Sequence, residues 1–215
     1  MQFTDFYENV VGDAAKYMLK FPWDNKRAYA GFLAQTYFYV RHSTRLLTLA
    51  ASRFSMDENE LHRRFIQHSE EERGHEFMCQ KDMARIGYEL KTFNEQTATA
   101  AFYQRQYYLI EHVDPICFLG YIIFLEGLAV KAGQAIKGRV QTEHTQKAGL
   151  FVSSHSEDDQ EHIVNAFKAL DGLASERMNL IRENMEMSAK LYKNMMAEAL
   201  TEALLDQRRS DPRAA

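Results

Sequence analysis

Apolar residues recur every three or four positions along nearly the whole chain, which is the spacing of one face of an α-helix. No stretch alternates apolar and polar residues for long enough to predict a strand. Only three prolines and ten glycines interrupt the pattern. The sequence therefore predicts an all-α protein with one helical domain over residues 1–205 and a disordered C-terminal tail over residues 206–215.

Capping residues and turns divide this pattern into separate helices. Asp24 or Asn25 can cap a helix that runs through residue 54, and Asp114 can cap another, with Pro115 at its favoured first position. Ser154 and Glu157 have the spacing of a capping box. We expect helices at about 4–20, 25–54, 57–87, 94–110, 115–138 and from 154 past Met178.

Composition restricts the classes of partner. With 46% hydrophobic residues and a net charge of -4, the chain can bury one sizeable core, and its scattered basic residues do not predict nucleic-acid binding. The longest apolar run, residues 115–130, contains Glu126 and is shorter than the roughly 20 residues that span a bilayer, so no membrane partner is expected.

The N-terminus lacks a signal-peptide pattern, and two widely separated cysteines suit buried thiols, so we expect a cytoplasmic protein. The many methionines and aromatic residues indicate a homodimer.

The segment HSEDDQEH, residues 155–162, carries the first candidate chemistry. His155, Asp159 and His162 are spaced i, i+4 and i+7, so on a helix all three side chains lie on one side. Two imidazoles and a carboxylate on one side form a donor set that a metal ion with mixed nitrogen and oxygen preference can use.

Two further segments offer partners for such a metal. In HSEEERGHEF, residues 68–77, Glu72 and His75 have the i, i+3 spacing of carboxylate-bridged di-iron bundles, and His68 and Glu71 lie on the same stripe. A solvated helix face with ordinary salt bridges is the alternative interpretation of this segment. Glu126 is a lone carboxylate in an apolar helix, where it needs a metal, a basic partner or a proton. Together, three histidines and three carboxylates suit two iron or manganese ions.

In this order along the chain, GHE, DMARIG, LEG and His-x-x-x-Asp-x-x-His resemble the haem-oxygenase-like di-iron oxidases over roughly residues 30–175. The resemblance implies a seven-helix bundle that binds two Fe(II) ions, with manganese as an alternative, and uses O2 as co-substrate. It implies amine N-oxygenation or oxidative carbon–carbon cleavage of an amino or fatty acid. Some members take the first carboxylate seven residues before the histidine, where this chain has His68, so His68 or Glu71 can replace or join Glu72. The metal ligands implied are Glu72, His75, Glu126, His155, Asp159 and His162.

Other functions remain open at this point. A metal-free thiaminase-like or pyrroloquinoline-quinone-synthase-like enzyme of the same fold predicts a pocket nucleophile or hydrogen-bonding set instead of six ligands. A haem oxygenase needs a proximal histidine on its first helix, and residues 4–20 contain none. A non-enzymatic helical binding protein is the third alternative. For the oxidase, the partners are a small-molecule substrate and an electron donor, and Tyr37, Tyr39, Tyr121 and Arg41 are candidates to orient the ligands.

Overall fold

A computed structural model of the protein describes the backbone of residues 2–210 and the side chains of residues 2–153 and 163–209. Within these residues the chain forms α-helices and short 3-10 turns, and no strand is present. The prediction of an all-α protein is confirmed. The helices are α1 (Phe3–Leu19), α2 (Lys26–Val40), α3 (Ser43–Arg53), α4 (Asn59–Glu71), α5 (His75–Arg85), α6 (Thr97–His112), α7 (Phe118–Glu143), α8 (Leu150–Lys168) and α9 (Ser175–Ser210).

Helix α7 lies at the centre of the bundle and packs against α1, α8 and α9. The segment Pro115–Glu143 is long and apolar enough to cross a membrane, because the helix continues well past Val130. However, 78% of its most apolar window is buried inside the bundle. The other helices therefore cover its apolar side chains, and α7 is the core helix of the fold.

Two of the predicted helices are broken. The one expected to run from residue 25 to 54 breaks at Arg41 and His42, where the His42 ring stacks on Tyr103 of α6 at 3.9 Å. The one expected over residues 57–87 breaks at residues 72–74, where Gly74 adopts a φ of +89° that ends α4. Over residues 2–210, the nine α-helices correspond to the expected seven when each broken pair is counted as one.

The capping predictions have mixed outcomes. Asn25 accepts a hydrogen bond from the backbone N–H of Ala28, and Asp114 accepts one from that of Ile116, as expected. The helix after Asp114 extends to Glu143, beyond the predicted end at residue 138. Gly138 keeps a helical backbone, unlike the glycines with positive φ, and so does not end the helix.

The prediction that a helix starts at Ser154 is wrong, since α8 is already helical from Leu150. It follows Gly149, whose φ of +82° is a turn conformation. It ends at Lys168 and not beyond Met178, and Gly172 with a φ of +78° lies in the turn before α9.

The last helix, α9, continues to Ser210, five residues into the segment predicted as a tail. Asp206 there forms an ion pair with Arg27 at 2.7 Å.

Candidate metal centre

The break between α4 and α5 brings Glu72 and His75 together. Glu72 caps the C-terminus of α4, and His75 is the first residue of α5. Nδ1 of His75 lies 3.4 Å from Oε2 of Glu72. The expected pairing is therefore present, but the turn at Gly74 creates it, whereas the sequence predicted one continuous helix.

Glu126 faces this pair from the middle of α7 and is only 7% exposed. Nε2 of His68 lies 3.5 Å from Oε1 of Glu126 and 3.8 Å from Oε1 of Glu72. His68 thus connects the two carboxylates across the helix interface. Glu71, by contrast, is exposed and accepts a hydrogen bond from Gln67 on its own helix.

Half of the expected ligand set lies on α8, and its side chains fall outside the described residues. The backbone is helical through positions 155, 159 and 162, so the i, i+4 and i+7 spacing places His155, Asp159 and His162 on one side of α8. Helix α8 packs against α7 and α5, which carry Glu126 and His75. Among the side chains of residues 2–153 and 163–209, no group of three or more acids, histidines or cysteines is arranged to hold a metal ion by itself.

An apolar cavity of about 90 Å³ borders the carboxylate and histidine side chains of the site. His68, Glu72 and Glu126 supply charged or titratable groups to its wall, and Tyr121 adds a hydroxyl. A mainly apolar wall with a few polar groups is typical of a small-molecule site. The remaining lining residues come from six helices and are Met18, Phe32, Tyr39, Val40, Ser43, Leu47, Phe118, Ile122, Leu125, Leu128, Ala129, Gly133, Phe151, Val152 and Tyr192.

A second, polar cavity of about 60 Å³ shares His68 and Glu126 with the first. Arg64, Gln67, Glu71 and Asn165 form the rest of its wall. Desolvation lowers the pKa of Arg64 from its ordinary value, although Glu126 and Glu71 act in the opposite direction. The site is therefore bordered by an apolar cavity and by a polar one.

The residues proposed to orient the ligands separate into two groups. Tyr39 and Tyr121 line the apolar cavity, whereas Arg41 forms an ion pair with Glu95 at 3.6 Å and Tyr37 packs against Phe38. Sequence reasoning missed Ser43 and Tyr192, which also line the cavity. The helical spacing of Tyr192 predicts a buried position on α9 but cannot distinguish a packed core from the wall of a cavity.

Both cysteines are buried, as predicted, and neither lines the cavity. Burial, followed by the nearby carboxylate of Asp82, raises the pKa of Cys79 well above its ordinary value. Burial and Asp114 raise the pKa of Cys117 to about 11. Both thiols are therefore protonated at neutral pH and are poor nucleophiles.

Comparison with known families and structures agrees with this architecture. The profile of a family described as "iron-containing redox enzyme" matches residues 30–207. A comparison with curated proteins gives no match.

Three solved structures illustrate the likeness of fold. The structure of a domain of unknown function with a haem-oxygenase-like fold from Shewanella denitrificans is 20% identical, with a TM-score of 0.84 over 96% of this chain and 95% of that one. A TenA homologue from Pseudomonas syringae is 9% identical, with a TM-score of 0.74 over 91% of each chain. A CADD-like protein of unknown function from Nostoc punctiforme is 13% identical, with a TM-score of 0.65 over 92% of this chain and 96% of that one.

Proposed function

The chain belongs to the family of iron-containing redox enzymes, and we propose that it is an O2-dependent di-iron oxidase of a small organic substrate. One observation carries the proposal. Glu72, His75, His68 and Glu126 come from three different helices and converge beside an apolar cavity. Helix α8 packs against two of these helices and carries three more donors on one side.

The donor chemistry of these residues fits iron or manganese. Carboxylate oxygens and imidazole nitrogens are the ligands these ions use in helical bundles. Glu72, His75 and Glu126 would hold the two ions together with His155, Asp159 and His162 of α8, and His68 is placed to join them. When bound, two Fe(II) ions would supply electrons for the reduction of O2, and this reduction would drive oxidation of the substrate.

The protein's own part is to hold the substrate and keep water away from the reacting atoms. The apolar wall suits a compact hydrocarbon body, and three tyrosines in that wall remain protonated. Burial raises the pKa of Tyr39, Tyr121 and Tyr192 above the ordinary value of 10. Such a site supports amine N-oxygenation or oxidative carbon–carbon cleavage of an amino or fatty acid, with an electron donor as a further partner.

The metal-free alternative has less support from the side chains. A thiaminase-like reaction through a cysteine needs a thiolate in the pocket, and both thiols are buried, protonated and outside the cavity wall. The likeness to TenA homologues is at 9–12% identity and therefore supports the fold alone.

Anaerobic loading with ferrous iron tests the proposal. We expect about two iron atoms per chain in the wild-type protein, together with an iron-dependent absorbance change when it is mixed with O2. His155→Ala and His162→Ala should each lower the iron content, and the exposed His112→Ala on α6 should not. Wild-type iron content in both α8 variants would contradict the assignment of the site.

A further inference from the structure

Tyr121 lines the apolar cavity and carries a buried hydroxyl. The residue lies on α7, five positions before Glu126, and is 3% exposed. Its ring packs on Phe118 and Phe102, with centroids 5.2 and 4.7 Å away, so two aromatic neighbours hold the side chain in place. Among the described residues, no group forms a hydrogen bond with this hydroxyl.

Burying a hydroxyl without a hydrogen-bond partner costs free energy. In a cavity wall, such a hydroxyl indicates that a bound molecule supplies the partner. Burial, and after it the nearby carboxylate of Glu72, keep the pKa of Tyr121 well above 10. At neutral pH the hydroxyl therefore keeps its proton and can donate it in a hydrogen bond.

Ser43 also carries a hydroxyl in the wall, but this residue is only half-buried, whereas Tyr121 is buried. Glu72 and Glu126 accept hydrogen bonds when ionised, and Nε2 of His68 already contacts both of them. Of the three tyrosines in the wall, only Tyr121 has a fully buried hydroxyl with no hydrogen-bond partner among the described residues.

We propose that the Tyr121 hydroxyl is a specificity-determining donor that binds an acceptor oxygen, a carbonyl or carboxylate, on a substrate whose body is apolar. The apolar part fills the cavity against side chains such as Leu47, Ile122 and Val152. The hydrogen bond places the oxygen-bearing end of the molecule beside Glu72. This inference rests on the proposed function for the reaction, but its test measures binding alone.

The test compares two neutral probes of nearly equal shape, cyclohexanone and methylenecyclohexane, in which a carbonyl oxygen replaces a CH2 group. Neither carries a charge that would draw it to the metal. Binding is measured by calorimetry on iron-loaded protein without O2. Tyr121→Phe should weaken binding of the ketone by about 3- to 10-fold, the value of one hydrogen bond, and leave binding of the alkene unchanged.

Tyr107→Phe on α6 is the matched control, since Tyr107 lies outside the cavity wall and its hydroxyl forms a hydrogen bond with Nδ1 of His42 at 3.0 Å. It should not change the preference of the protein for the ketone. The thermal unfolding midpoint of Tyr121→Phe should equal or exceed that of the wild type, because the hydroxyl that it removes is buried and has no hydrogen-bond partner among the described residues. The midpoint of Tyr107→Phe should fall, because this substitution removes a hydrogen bond within the protein.

Equal effects of Tyr121→Phe on both probes, no ketone preference in the wild type, or a lower midpoint for Tyr121→Phe would each overturn the inference. Iron content is measured on the same samples. If iron fails to bind to the wild type, the proposed function fails, while the difference between the two probes still reports on Tyr121.

Discussion

The carboxylate of Asp82 on α5 accepts a hydrogen bond from the backbone N–H of Phe151, the second residue of α8, at 3.1 Å. Gly149, which precedes α8, has no side chain to cap the helix, so a residue from another helix performs that role. Arg85 holds the arrangement with hydrogen bonds of 2.9 Å to Asp82 and 2.7 Å to the Lys147 carbonyl. This contact ties the helix that begins at His75 to the helix that carries three expected ligands.

Asp82→Ala should lower the free energy of unfolding by about 1–3 kcal/mol, because it removes a helix cap and leaves buried N–H groups unsatisfied. Asp82→Asn keeps an acceptor oxygen, so its free energy of unfolding should fall by less than that of Asp82→Ala. Urea unfolding at pH 7 measures both values, and the iron content of Asp82→Ala should fall because α8 is no longer held. Wild-type stability in the alanine variant would show that the cap is unimportant.

Glu58 and Asp114 both bind Arg177, with the Arg177 Nε 2.8 Å from the Asp114 carboxylate. Burial acts to raise the pKa of Glu58, but hydrogen bonds from Arg177 and Ser55 outweigh it and leave the pKa below 4.5. A folded-state pKa below the unfolded value stabilises the protein above pH 4.5, and that stability is lost as the pH falls through the folded value.

Glu58→Gln should therefore reduce stability at pH 7 by about 1 kcal/mol, and its difference from the wild type should shrink below pH 4.5. Glu89 forms an exposed ion pair with Lys91, so Glu89→Gln is the control. This substitution should change the free energy of unfolding little at either pH. The measurement is urea unfolding at pH 7 and pH 3.5. A constant difference at both pH values would mean that the charge of Glu58 is not involved.

The sequence predicts the helical class and the bundle because apolar spacing and capping residues are local properties of the chain. Asn25 and Asp114 cap helices as expected for this reason. The break at Gly74 and the start of α8 could not be predicted in the same way. The first depends on a glycine that tolerates a positive φ, and the second on Asp82, which lies 69 residues away in sequence.

The residues of the candidate site could also be predicted only in part from the sequence. Spacing paired Glu72 with His75, and a lone charge in an apolar helix singled out Glu126. The structure places Glu72 and Glu126 within 4 Å of His68, and His75 lies 3.4 Å from Glu72. Spacing could not decide between His68 and Glu71, because both lie on the stripe of one helix. The structure places the His68 imidazole 3.5 Å from Glu126, while Glu71 is exposed, so we propose His68 as the residue that joins the set.

Gly120 on α7 lies against the backbone of α9 at Ile181 and Met185. A Cβ atom at this position would lie 2.3 Å from the carbonyl oxygen of Ile181, a backbone atom that cannot move aside cheaply. Gly120→Ala should destabilise the fold by about 3 kcal/mol or more. Gly138→Ala on the same helix meets nothing within 4 Å and should stabilise it by up to about 1 kcal/mol. Thermal unfolding of both variants measures the contrast, and similar midpoints would exclude close helix packing at Gly120.

His68 and Glu71 offer a paired test of which residue joins the expected ligands. His68 contacts both Glu72 and Glu126, whereas Glu71 is exposed. We expect His68→Ala to lower iron content and the rate of reaction with O2, and Glu71→Ala to leave iron content within about twofold of the wild type, a difference of under about 0.4 kcal/mol. Metal analysis after anaerobic loading gives the ranking, and a larger loss in Glu71→Ala would reverse it.

Glu126→Gln separates a metal ligand from a structural ion pair. The substitution preserves volume but removes a charge that lies with Glu72 around His68. Without metal, this removes a repulsion between two carboxylates, so the metal-free variant should be at least as stable as the metal-free wild type. With iron the order should reverse, because a ligand that binds only the folded state stabilises it. We expect iron affinity to fall by at least the roughly 10- to 100-fold that the loss of an outer-shell partner costs.

Unfolding curves with and without iron measure the stability of both proteins in both states. If the metal-free variant were instead destabilised by about 3–5 kcal/mol, Glu126 would be half of a buried pair with His68, and the di-iron proposal would lose its central carboxylate.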